Sequence, residues 1–164
     1  MMKNEGISMW LERLNEANQI QKVISMNEKT QAYGLVLTEE DARFLVEQKQ
    51  ECLREQQRIE FGETILSKLI FTFCDSAYIS QSDYVETISR LQEIFYLYKN
   101  ESMDILTDDE LLSYMKEAFE GECQGSLEYL EETVLEAFAR KIREEGHYNL
   151  EKHYKIKGRV DTDE

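Results

Sequence analysis

The stretch Ser80–Lys99, SQSDYVETISRLQEIFYLYK, decides the fold class. It opens with Ser80-Gln81-Ser82-Asp83, the pattern of a capping box, in which a serine and an acid three residues on satisfy each other's backbone N–H groups. Behind it Tyr84, Ile88, Leu91, Phe95 and Tyr98 step 4-3-4-3, the spacing that lines one face of an α-helix. Val85 and Tyr96 fall together on another face. A helix with two apolar faces is either central to a bundle or bears a contact surface.

The same grammar extends in both directions. Upstream, ETILSKLIFTF reads as a short helix with Ile65, Leu66, Leu69, Ile70 and Phe73 on one side. Phe71 lies off that face, so the helix is expected to be covered from two directions. Gly62 permits a turn before it. Thr38-Glu39-Glu40-Asp41 starts an earlier helix reaching about Gln57, with acids where the dipole favours them. Its stripe is Ala42, Leu45, Val46, Lys49, Cys52, Leu53 and Gln56. Gly34 marks a bend and Leu35-Val36-Leu37 an extended link. The first helix is expected from about Met9 to Met26, capped by Ser8, with Trp10, Leu14, Ala17, Ile20, Val23 and Ile24 facing the core.

Downstream, KNESMDIL is a linker and Thr107-Asp108-Asp109-Glu110 a full capping box. Leu111, Leu112, Met115, Ala118 and Phe119 form that helix's core side, and Gly121 ends it. Ser126 opens the last long helix, to about Glu145, with Leu127, Leu130, Val134, Ala137, Phe138 and Ile142 as its stripe; Gly146 stops it. The pattern gives an all-α, single-domain bundle of about six helices over residues 1–146. Residues 147–164 form a C-terminal tail, partly extended or disordered.

Composition agrees. The 164 residues include no proline and seven glycines, which argues against a turn-dense β sandwich. Three cysteines, an odd number without close spacing, read as reduced thiols of a cytosolic protein. The N-terminus lacks an apolar run of signal-peptide length, and ILSKLIFTF is far short of the ~20 residues a membrane span requires. A soluble, cytoplasmic protein is expected, without membrane contact.

The net charge of −15 is uneven. Residues 101–145 hold fourteen Asp/Glu against four Lys/Arg, whereas residues 1–33 and 146–164 each balance at four of either sign. A field of that sign repels phosphates, so nucleic-acid binding is not expected. The acidic half reads as a solvated face or as the counterpart of a basic protein.

Cys74-Asp75-Ser76, at the end of the IFTF run, has the look of a reactive triplet. A catalytic cysteine needs a base beside it, and the only histidines, His147 and His153, lie in the tail. Cys74 therefore reads as a small buried apolar residue, with Asp75 and Ser76 as turn residues. The two histidines stand six apart with no third ligand, and Glu128, Glu131, Glu132 and Glu136 lack the Glu-x-x-His pairs of bundle metal sites. No catalytic, metal or cofactor site is assigned. The candidate contact residues are Cys74, Asp75, Tyr78, Gln81, Tyr84 and Tyr96, with Tyr78 offering a rigid amphipathic ring in a helix–helix connection.

YGLVLTEEDA, RIEFGETILSKLIFTFCDSAYISQSDY, EIFYLYKNE and DDELLSYM together resemble a family of small proteins of unknown function from clostridia and related Firmicutes. The resemblance covers roughly residues 30 to 145 and is most specific over Arg58–Tyr84. It implies a bacterial cytosolic protein and supplies no activity, cofactor or site residue. The leading expectation is a non-enzymatic interaction or adaptor protein with an unidentified, possibly basic partner and possible homo-oligomerisation. The alternative is a small enzyme or ligand-binding bundle with a pocket near Cys74, Asp75 and Tyr78.

Overall fold

The capping boxes form where the sequence places them. Thr38 Oγ1 accepts from Asp41 N at 3.0 Å while Asp41 Oδ2 accepts from Thr38 N at 3.2 Å. Thr107 and Glu110 repeat the exchange at 3.1 and 2.9 Å. A computed structural model describes residues 2–60 and 64–144, without the side chains of residues 2–8. The expected turn at Gly62, the stop at Gly146 and the 147–164 tail lie outside the described residues. Among those described there is no strand, and the six helices read from the sequence are present. The chain falls into two compact units, Met1–Glu93 and Ile94–Glu164.

The first unit begins with α1 (Met2–Ser25), a short turn of helix α2 (Asn27–Thr30) and a 3-10 turn (Gln31–Tyr33). Helix α1 starts well before Met9, so Ser8 lies inside the helix rather than at its start. No proline precedes Met9 to prevent the extension. Gly34 turns the chain at φ 81°, a left-handed conformation that glycine adopts at no steric cost. Then come α3 (Glu39–Glu55) and α4 (Ile65–Phe73). Helix α1 packs on α3 and α4, and α3 packs on α4. Ile20 and Val23 from α1, Leu45 and Val46 from α3, and Leu66, Leu69 and Ile70 from α4 are all buried.

Polar groups join these helices inside that core. Lys49 is buried in α3, where its ammonium donates to Gln19 Oε1 at 2.5 Å and pairs with Glu60 Oε1 at 3.2 Å. The other oxygen of Glu60 accepts from Ile65 N, the first residue of α4. One lysine thus ties α1 and α3 to the start of α4. Helix α5 (Tyr84–Glu101) gives its first half to this unit. There Gln92 donates to Leu45 O and Gln48 Oε1, and Gln48 donates to Ser89 O, a latch between α5 and α3.

The second unit holds the end of α5, then α6 (Asp108–Glu120) and α7, which opens at Leu127–Tyr129. Helix α5 runs past Lys99 to Glu101, longer than the sequence pattern gives, because nothing breaks the helix before Ser102. Lys99 is buried, and its ammonium reaches Leu106 O at 2.5 Å and Asp108 at 3.0 Å, joining the end of α5 to the first turn of α6. Tyr114 and Phe138 pack at 5.0 Å between ring centroids.

Helix α7 carries a π-helical segment, Leu130–Leu135, and continues as α-helix over 136–144. The stripe read from the sequence shifts there. Leu135 and Ala139 are buried and Ala137 is exposed, where an unbroken α-helix would bury Ala137 and Phe138. A π turn spans five residues between hydrogen-bonded groups, so Leu130 and Leu135 come onto one face and everything after rotates by one position. Tyr98 approaches this widened turn, donating to Glu131 O at 2.9 Å and Glu136 Oε1 at 3.1 Å.

Candidate functional site

The connection from α4 to α5 is built residue by residue from local hydrogen bonds. Cys74 closes α4, and its buried Sγ donates to Phe71 O at 3.3 Å. Ser76 N donates to Phe73 O, and Ser76 Oγ accepts from Tyr78 N at 3.2 Å, a serine turn that fixes the loop. Ile79 is buried and anchors it. Asp83 then accepts from Ser80 N at 2.9 Å and leads into α5. Between these anchors Tyr78 is 46% exposed and Asp75 is exposed as well.

Gln81 reaches sideways from this loop. Its Oε1 accepts from Val36 N at 2.8 Å and its Nε2 donates to Val36 O at 2.9 Å. Asn27 treats Leu37 the same way, with both bonds at 2.9 Å. Thr30 completes the set: its hydroxyl donates to Leu35 O at 2.7 Å and its carbonyl accepts from Leu35 N at 3.2 Å. All six backbone groups of the extended link Leu35–Leu37 are therefore satisfied by neighbours rather than by a second strand. Two side-chain amides stand in for peptide groups.

Four exposed apolar side chains lie on the two segments that the Gln81–Val36 bonds clamp side by side. Val36 and Tyr33 contribute from one segment, Tyr78 and Phe71 from the other. Phe71 is 58% exposed, not covered from a second direction as its off-face position suggested. What it receives instead is the Lys29 ammonium, 5.2 Å from the ring centroid. Glu39, Glu40 and Asp75 are exposed on the same two stretches of chain.

The six candidate residues separate by environment. Tyr78, Gln81 and Asp75 are exposed, with Gln81 committed to Val36, whereas Cys74, Tyr84 and Tyr96 are buried. Tyr84 lies beside Thr30, whose proton goes to Leu35 O, and its own hydroxyl makes no well-aligned hydrogen bond among the described residues. Burial holds its phenol up to about 12, with Thr30 pulling the other way. Tyr96 belongs to the second unit, edge-on to Phe95 at 5.4 Å. Both histidines lie outside the described residues. All three cysteines are buried thiols, and burial pushes Cys52 up to about 12, with Glu93 adding to it.

Sequence reasoning missed Tyr33, Val36 and Phe71 as surface residues. Only Phe71 carried a signal, its place off the helix stripe. A model of a family of unknown function, DUF6323, matches residues 22–148. No curated protein and no solved structure matches the chain.

Proposed function

We propose that this chain, which belongs to the family of unknown function DUF6323, works by binding another protein and has no catalysis of its own. The observation that carries this reading is the exposure of Tyr33, Val36, Phe71 and Tyr78 on two clamped segments. A pre-ordered aromatic surface loses little conformational freedom on binding, and aromatic anchors dominate the energetics of interfaces. The exposed acids on the same two stretches, Glu39, Glu40 and Asp75, suit a partner that presents lysine or arginine beside its apolar side chains.

The setting we propose is the cytosol of a clostridium or a related Firmicute. Three buried thiols support the compartment, and no described helix is long and apolar enough to cross a membrane. The source rests on the family resemblance of the Arg58–Tyr84 segment. The enzyme alternative finds no support in Cys74, whose thiol is buried and bonded to the Phe71 carbonyl.

A photocrosslinking amino acid at position 78, with one at exposed position 47 as the control, tests the reading in cells that make the protein. The expected outcome is one discrete adduct from position 78 that is lost in Val36→Ser. Equal, diffuse labelling from both positions would overturn it.

A further inference from the structure

The Leu35–Leu37 link is a short extended segment whose two edges are held differently. In an extended chain the N–H and C=O groups of successive residues point to opposite edges. The partners follow that alternation. Leu35 and Leu37 turn their groups to one edge, where Thr30 and Asn27 receive them. Val36 turns both of its groups to the other edge, where the Gln81 carboxamide takes both. The edges also differ in access to water. The Thr30 hydroxyl bond is buried and both Asn27 bonds are part-buried, whereas both Gln81 bonds are exposed. Leu35 and Leu37 are buried, and Val36 is exposed.

We infer that Gln81 keeps the place of a partner's backbone: the Val36 edge receives an extended peptide segment, which moves the Gln81 carboxamide aside and exchanges both hydrogen bonds with Val36. The inference rests on the protein-binding reading and specifies how the partner engages. The geometry selects the occupant. In an antiparallel pair, one residue trades its N–H and its C=O with the residue opposite. A primary amide offers the same donor and acceptor from one plane, so Gln81 can stand where that residue would. A helix uses these groups internally and has no such pair to offer from its side. Two exposed hydrogen bonds are exchanged for two others, so entry at this edge costs little, whereas entry at the inner edge would strip buried groups. The residue opposite Val36 places its side chain on the same exposed face. The exposed acids Glu39, Glu40 and Asp75, on the stretches joined by this pair, favour lysine or arginine in the entering segment. This is strand addition at an edge one residue wide, and a short edge limits indiscriminate pairing.

The probe is the peptide acetyl-Lys-Thr-Tyr-Thr-Lys-amide, which sets tyrosine opposite Val36 and both lysines on its face. Its form N-methylated at tyrosine lacks the N–H that the Val36 carbonyl requires. Nitrogen–proton NMR follows the full chain as peptide is added to about 5 mM, the range that suits a two-bond contact. The Gln81 side-chain amide signals should move to the positions of a free amide, while the Leu37 N–H stays in place. Gln81→Ala should bind the peptide about fivefold tighter, because no carboxamide has to leave. The N-methyl peptide should leave the Gln81 amide unmoved, an arm that needs no variant to fold. A parent peptide that leaves the Gln81 amide in place overturns the inference. So does an N-methyl form that binds as well as the parent, or a Gln81→Ala chain that binds no tighter. In those cases a discrete adduct from position 78 would still uphold the protein-binding reading. Displacement of Gln81 without any such adduct would uphold the edge and overturn that reading.

Discussion

Gln81 and Val36, forty-five residues apart, are joined at both ends of one amide. The pair places the α4–α5 loop against the Leu35–Leu37 link, with Tyr78 on the one and Val36 on the other both exposed. Each hydrogen bond is exposed and contributes modestly, in the range of about 0.5–1.5 kcal/mol. Gln81→Ala should lower stability by about 1 kcal/mol in urea unfolding. Asn27→Ala, which strips the part-buried Leu37 backbone, should cost more, about 2 kcal/mol, because its former partners are left less accessible to water. Equal losses from the two variants would refute the burial argument.

Lys49 offers a sharper test, since its side chain is only 3% exposed and its partner Glu60 13%. Removing one member of a buried pair leaves the other charge uncompensated, at about 3 kcal/mol or more. Lys49→Met should show that loss in denaturant titration. Lys49→Met combined with Glu60→Gln should recover part of it, because the neutral amide can still accept from Ile65 N.

Alkaline sensitivity follows from two buried acids. The Cys52 thiol rises from an ordinary 9.0 to about 12 and the Tyr84 phenol from 10.0 to about 12, each chiefly through burial. Both groups prefer their neutral forms in the fold, so their contribution is complete below the unfolded values and is lost as pH rises through the folded ones. The melting temperature should hold to about pH 9 and then fall between pH 9 and 12. Cys52→Ser should blunt the early part of that fall. Iodoacetamide at neutral pH should label Cys52 only after unfolding.

In the second unit Tyr98 and Arg143 both donate to Glu136 and hold its carboxyl below the ordinary 4.5. Tyr98→Phe should cost about 1 kcal/mol. The Glu136 titration, followed by carboxyl-carbon NMR, should move part of the way back towards 4.5, since Arg143 remains. An unmoved titration would show that Arg143 alone sets it.

Much of this architecture was legible because it is written locally. Thr38–Asp41 and Thr107–Glu110 announce their helices by spacing, and the 4-3-4-3 run of α5 announces its burial: Tyr84, Ile88, Leu91, Phe95 and Tyr98 are all inside. On the other apolar face Tyr96 is buried too, while Val85 is half-buried. Periodicity says that a stripe exists but not what covers it. Trp10 and Leu14 show a helical repeat as regular as that of α5, and they face outward. The amide pairings of Gln81 and Asn27 join residues that only the folded chain brings together. The π segment left no trace either, because its residues are ordinary helix formers and one extra residue per turn has no composition of its own.

That segment bears on how α7 tolerates change in length. A helix with a five-residue turn carries one residue beyond what the regular ladder requires, as if an ancestral insertion had been absorbed in place. Deleting a single exposed residue there, Glu132 for example, would return the segment to a plain α-helical ladder and leave Leu135, Ala139 and Ile142 in the inward positions they now hold. Most helices cannot lose a residue without turning their apolar face to water; this one has a register in reserve.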